Sequence, residues 1–249
     1  MTAGAIFLVT LVVGLALQPL LIPWLRRRGV LDIPNERSSH VRVTPRGGGI
    51  AVVGSLAVGL LGGLQGGWDV AVVLLAGVAL GALGLADDFR GLSAKVRLAV
   101  LLLVGAVTGM LLSSPIPLLF AVPLMAVWTA AYVNAFNFMD GINGISGLSG
   151  LVAGVSYLLM GYSFGSSALV VIGAALVGAC LSFLPYNLLK ARVFLGDVGS
   201  YALGLVIAAC AWLAWDAGTP LLLALAPTSV YLVDTGTTLL QRTRAGEPL

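Results

Sequence analysis

Asp87 and Asp88 stand side by side in GLADDFRGLSAKVR, directly after a long apolar run. At the edge of a membrane, adjacent carboxylates repel each other and lose hydration. A cation between or near them relieves both costs. Magnesium takes oxygen ligands, often one or two carboxylates plus substrate phosphates. The plainer reading is a solvated helix end with Arg90 as local counter-charge, although carboxylates at a helix C-terminus oppose the macrodipole.

Three further polar clusters accompany this pair. In NAFNFMDGINGISG, residues 134–147, Asn134, Asn137 and Asp140 are spaced by three and line one helix face. Asn143 extends the row if the helix continues. Amides that bond between membrane helices are one reading. A carboxylate among them asks for more, and Gly141 and Gly144 suggest a break where irregular backbone lines a cavity. In FLPYNLLKARVFLGDVGS, residues 183–200, Asp197 lies between Gly196 and Gly199. There it could hold a metal or phosphate, or act as an N-cap. In DIPNERSSHVRVTPRGGG, residues 32–49, Arg37, His40 and Arg46 precede a glycine turn whose backbone could bind phosphate at a helix start. The alternative is a plain basic loop.

These clusters need elements to hold them, and composition says which. The chain has 249 residues, 59% hydrophobic and 9% charged, with mean hydropathy +1.06, whereas soluble domains are about 25% charged. Its apolar runs approach the about 17–25 residues that cross a bilayer, and the alternation of a membrane β-barrel is missing. The expected fold is an all-α polytopic transmembrane bundle of about nine spans. They lie near 4–25, 48–66, 69–86, 97–113, 117–136, 146–163, 166–186, 200–216 and 219–239. MTAGA lacks the basic start of a signal peptide, so the first run reads as a span. Cys180 and Cys210, both in apolar runs, read as buried free thiols.

All 13 basic residues fall at one side of this topology, following spans 1, 3, 7 and 9. The positive-inside rule makes that side cytoplasmic, with a periplasmic N-terminus and a cytoplasmic C-terminus. The four polar clusters share the basic side, which suits anionic headgroups and phosphates. Carboxylates, a divalent cation and arginines are the parts of a phosphoryl-transfer site. At a bilayer surface, one substrate would be a lipid phosphate. Glycine pairs at Gly59/Gly63, Gly77/Gly81, Gly105/Gly109 and Gly150/Gly154 suit close helix packing within the chain.

The motifs DIPNERSSH…PRGGG, LADDFRGLSAK, NAFNFMDGINGISG and FLGDVGSYALG, in this order from residue 32 to about 204, resemble the polyprenyl-phosphate N-acetylhexosamine-1-phosphate transferases. NFMDGING looks most like members that start O-antigen or similar polysaccharide synthesis. The resemblance implies transfer of a sugar-1-phosphate from a UDP-N-acetylhexosamine to undecaprenyl phosphate in the bacterial inner membrane, with release of UMP. It implies a Mg²⁺ requirement, with Mn²⁺ as a substitute. Asp197 would be the principal metal ligand and Asp88 a second. Asp87 and Asp88 would lie beside the lipid phosphate, and Asp140, Asn134, Asn137 and Asn143 near the nucleotide. Phe194 would stack on uracil, and Arg37, His40, Arg46, Lys95 and Arg97 would contact phosphates. Membrane lipids and a homodimer are admissible partners, and nucleic acid is not expected.

The second pKa of a phosphate monoester is about 6, so the lipid phosphate is mostly a dianion at neutral pH. Direct attack on the β-phosphorus is therefore the expected mechanism, rather than proton removal by Asp87 or an aspartyl-phosphate intermediate. Two departures stand out. Asn143 occupies a position where many relatives carry a second aspartate. The chain is also read as one domain, 1–249, that lacks the family's histidine-containing loop and last helices. The competing readings are a non-catalytic relative, a transporter or lipid-binding protein, and a CDP-alcohol phosphotransferase. Transporters place ionisable groups near the midplane, and the spacing of the phosphotransferases is not found.

Overall fold

The computed structural model describes residues 1–34 and 42–246. Long helices dominate: α1 (Ala3–Arg27), α2 (Gly49–Gly62), α3 (Trp68–Arg90), α4 (Ala94–Leu111), α5 (Leu118–Met139), α6 (Ile145–Phe164), α7 (Ser167–Asn187), α8 (Gly196–Asp216), α9 (Leu221–Leu225) and α10 (Ser229–Ala245). Seven of them, α1 and α3 to α8, are long and apolar enough to cross a membrane. The chain is an all-α, multi-pass membrane protein.

Two expected spans differ. Run 48–66 forms the 14-residue α2, which ends at Gly62 before a short 3₁₀ turn at Leu64–Gly66. Run 219–239 breaks into α9, a 3₁₀ turn at Ala226–Thr228 and α10. Pro227 sits in that turn, where its ring and missing N–H do not interrupt an α-helical ladder.

Helix α8 is the axis of the bundle. Its most apolar window is 94% buried, against 22% for α1 and α4. A helix that is apolar all round belongs inside, and α3 and α5 pack most extensively on it. Small residues bring these backbones together. A Cβ on Gly84 of α3 would overlap the Asp197 carbonyl, and one on Gly49 of α2 would overlap the backbone of Gly199. The paired glycines serve packing within the chain as expected: Gly105 and Gly109 receive α5, and Gly150 and Gly154 receive α7. Both cysteines are buried and free.

A small sheet closes the end that carries the basic residues. β1 (Leu31–Asp32) pairs antiparallel with β2 (Thr44–Pro45). Arg46 then bridges in parallel to Phe194, which brings the start of α2 beside the start of α8.

Candidate active site

The first turn of α8 organises the site. Helix N-termini expose amide donors that favour negative charge. Asp88, 109 residues earlier in the chain, supplies it: its two oxygens accept from Asp197 N and Val198 N, each at 3.1 Å. Asp197 is therefore a first-turn residue and not the N-cap, and its side chain is left for other contacts. Arg46 bridges the two acids, with Nε 2.7 Å from Asp88 Oδ1 and Nη2 2.9 Å from Asp197 Oδ1. These charges hold the guanidinium more firmly protonated than usual, against the opposing effect of its partial burial. Asn137 Nδ2 donates to Asp197 Oδ1 and to Ser200 Oγ, both at 2.8 Å. Residues from four places in the chain thus meet at one helix start.

Asp87 and Asp88, adjacent in sequence, turn to different partners. Asp87 accepts from Leu92 N at 2.7 Å, Arg97 Nη1 at 3.2 Å and Tyr201 Oη at 2.7 Å. Divergence onto separate donors relieves their repulsion. Tyr201→Phe removes one of the three donors from a buried carboxylate. It is expected to cost about 1.5–3 kcal/mol, read as a lower unfolding midpoint, whereas an unchanged midpoint would show that the bond contributes nothing.

The glycine turn does not act as an open phosphate cradle. Gly47 N and Gly48 N donate to Phe194 O, and Gly49 N donates to Leu195 O. Those amides stitch the two loops together. Asn134 is exposed and bonds Ala130 O of its own helix at 2.7 Å, so of the stripe's two amides Asn137 is the one that hydrogen-bonds Asp197. The helix stops at Met139 and Asn143 is exposed in the following turn. Lys95 is exposed on the first turn of α4. Phe194 is half-buried, with its N–H on Pro45 O. Arg37 and His40 lie outside the described residues.

Asn187 was not singled out from the sequence. It is buried, its Oδ1 accepts from Gly144 N at 2.6 Å, and its Nδ2 donates to Val193 O at 3.0 Å. It clamps the turn after α5 to the loop before α8. An amide at the end of an apolar run was the signal, because a buried amide must find partners. Tyr201 gave the same kind of signal.

Among the described residues, no group of three His, Cys, Asp or Glu side chains is placed to hold a metal ion. A magnesium site completed by substrate phosphates needs only one or two carboxylates. Asp197 fits that role: both donors that reach its side chain share Oδ1, and none of the described residues donates to Oδ2. Both oxygens of Asp88 are already engaged.

A family model described as "Glycosyl transferase family 4" matches residues 70–214, more than half of the chain. The chain belongs to glycosyl transferase family 4. Relatives in the family include the decaprenyl-phosphate N-acetylglucosaminephosphotransferase of Mycobacterium tuberculosis, 31% identical over 88% of this chain and 66% of that protein. The phospho-N-acetylmuramoyl-pentapeptide-transferase of Clostridioides difficile is 31% identical over 82% of this chain and 71% of its own length. A probable undecaprenyl-phosphate N-acetylglucosaminyl 1-phosphate transferase of Bacillus subtilis is 29% identical over 80% and 59%. The chain thus spans about two thirds of the length of these relatives.

Within this family 4 site, Asp140 caps the end of α5. Burial lifts its carboxyl from 3.8 to about 7; the charges of Asp197 and Asp88 add to this, while the nearby Ser146 hydroxyl and Arg46 oppose it. Between those two values the unfolded chain releases a proton that the folded chain keeps, so stability falls as pH rises through the window. Asp140→Asn removes this dependence. Its unfolding midpoint is expected to gain on wild type from pH 4 to pH 8, and parallel profiles would contradict the assignment.

Proposed function

We propose that the chain transfers an N-acetylhexosamine-1-phosphate from a UDP-sugar to a polyprenyl phosphate such as undecaprenyl phosphate, releasing UMP. The reaction takes place at the cytoplasmic face of the bacterial inner membrane. The observation that carries this reading is the Asp88–Arg46–Asp197–Asn137 constellation at the start of α8. It joins carboxylates to an arginine suited to phosphate, in a chain whose relatives are named for polyprenyl-phosphate sugar phosphotransfer.

Arg46 and Arg97, both partly exposed, are the cations that receive the phosphates. Asp197 would hold a Mg²⁺ ion, which supplies charge neutralisation on the diphosphate. Asp87 already accepts three hydrogen bonds, which suits it to fixing Arg97 and the end of α3 rather than to taking a proton. The lipid phosphate, mostly a dianion near neutral pH, attacks the β-phosphorus directly. The β-phosphorus–oxygen bond to UMP breaks as the new phosphoanhydride bond forms, and the bond's electrons leave on UMP.

The test is UMP release by membranes containing the full chain, supplied with undecaprenyl phosphate, Mg²⁺ and a panel of UDP-N-acetylhexosamines. Release that depends on both substrates supports the reading, and no release with any sugar sinks it. An aspartyl-phosphate recovered from quenched enzyme would replace direct attack by a covalent route.

A further inference from the structure

Gln18 is the one amide side chain in α1, and it is fully buried. Thr10, the other buried side chain of that helix with a polar group, satisfies itself one turn back, with Oγ1 2.8 Å from Ile6 O. Gln18 instead leaves its helix. Its Nε2 donates to Gly48 O at 3.1 Å, thirty residues later in the chain. Gly48 is the N-cap of α2 and stands two residues after Arg46.

The turn that follows Arg46 depends on outside bonds. A Cβ on Gly48 would press on Val193 and Phe183, and one on Gly49 would overlap Gly199. Close approach to the start of α8 therefore demands glycine, and glycine leaves the backbone its greatest freedom. On the α8 side, amides of the turn are fixed by Phe194 O and Leu195 O. On the α1 side, Arg46 N donates to Val30 O at 3.1 Å, and Gln18 takes Gly48 O. The carbonyl does not need Gln18 to be satisfied, because Ala51 N also donates to it at 3.1 Å. Burying an amide costs free energy unless its groups are paired, and Gln18 Oε1 has no partner among the described residues. Folding therefore gains little from this amide, and methionine would fill the same space.

We propose that Gln18 is a positioning residue for the transfer site: from inside α1 it holds the glycine turn at the place where Arg46 can span Asp88 and Asp197. The inference rests on the phosphate role given to Arg46 above and goes beyond it by naming what fixes that arginine. The fork of Arg46 meets one acid at 2.7 Å and the other at 2.9 Å, and such bonds weaken within a few tenths of an ångström. Its side chain is 39% exposed, so the backbone beneath it must supply the precision. Gln18 touches neither acid in any printed bond and acts through the turn. A loosened Arg46 still offers its charge to a bound diphosphate but holds the reacting geometry less often. The loss therefore falls on kcat rather than on the KM of the sugar-nucleotide.

The test measures UMP release and thermal unfolding of the full chain in detergent for wild type, Gln18→Met, Gln18→Leu, Arg46→Lys and the double change Gln18→Met with Arg46→Lys. Each Gln18 variant is expected to keep or raise the unfolding midpoint, because it removes an unpaired buried oxygen and strands no other group. Its kcat is expected to fall about tenfold, the equivalent of one hydrogen bond, with the sugar-nucleotide KM within about twofold. In the Arg46→Lys background, Gln18→Met should cost less than about twofold more, because the fork that it positions is already gone. A lowered midpoint in both Gln18 variants would show a packing role and overturn the proposal. So would an unchanged kcat, or losses that simply multiply in the double change. If wild type releases no UMP with any UDP-N-acetylhexosamine, the transfer reading fails and takes this inference with it.

Discussion

Asp197→Asn is expected to lower transfer by about 10²–10³-fold, the usual cost of removing one electrostatic group from a phosphoryl or acyl transfer site, while leaving the fold intact. Asparagine preserves the shape, and its oxygen can still accept from Arg46 and Asn137, which now share Asp197 Oδ1 at 2.9 and 2.8 Å. The charge is lost, and with it the carboxylate oxygen Oδ2, to which none of the described residues donates and which suits a metal. Removing that charge also relieves its repulsion with Asp88, whose side chain is 1% exposed. Unfolding should therefore be unchanged or shifted slightly upward, the pattern of a residue kept for activity at some expense of stability. UMP release and thermal unfolding on the same preparation check both halves. Activity above about a tenth of wild type, set against the expected loss, would remove Asp197 from the central role.

Arg46→Ala is expected to damage stability and activity together. Its guanidinium is the one cation bridging Asp88 and Asp197 among the described residues. Without it, a buried carboxylate keeps its backbone donors but loses its counter-charge. Breaking a fully buried pair costs about 3–5 kcal/mol. Arg46 is 39% exposed, and solvent reduces the cost to about 2 kcal/mol. Arg46→Lys restores charge without the fork that reaches two acids through Nε and Nη2, so it should recover only part of the loss. Adding Asp88→Asn to Arg46→Ala should cost much less than the sum of the single changes, because the second removes the group that the first stranded. Additive losses would show that the two side chains do not act as a pair.

Much of this architecture was legible from residue order. Apolar runs of bilayer length gave α1 and α3 to α8, because a helix in lipid must satisfy its own backbone and needs apolar side chains outside it. Run 219–239 was harder to read. Pro227 breaks it, yet Pro19, Pro23, Pro123 and Pro185 lie inside intact helices of the same chain. Proline alone therefore could not mark the break; neighbouring packing decides which interruptions a membrane helix tolerates. The shorter α2 followed from glycines after Leu61, where the loss of side chains lets the helix end.

The site separates in the same way. Residue types and spacing alone placed Asp87, Asp88, Asp140 and Asp197 at the same end of the bundle, because alternating spans carry successive loops to alternate faces. They also suggested phosphate chemistry, because carboxylates and arginines beside a bilayer surface are the parts such a site uses. Spacing could not say that adjacent Asp87 and Asp88 part company, the first to Tyr201 and Arg97, the second to the start of α8. Nor could it say that Asn137 reaches Asp197 while Asn134 bonds its own helix. Those choices depend on how closely α3 and α2 approach α8 at Gly84 and Gly49, and hydrogen bonds form or fail within a few tenths of an ångström. Local sequence determined which groups arrive at the membrane edge; only long-range packing decided which of them touch.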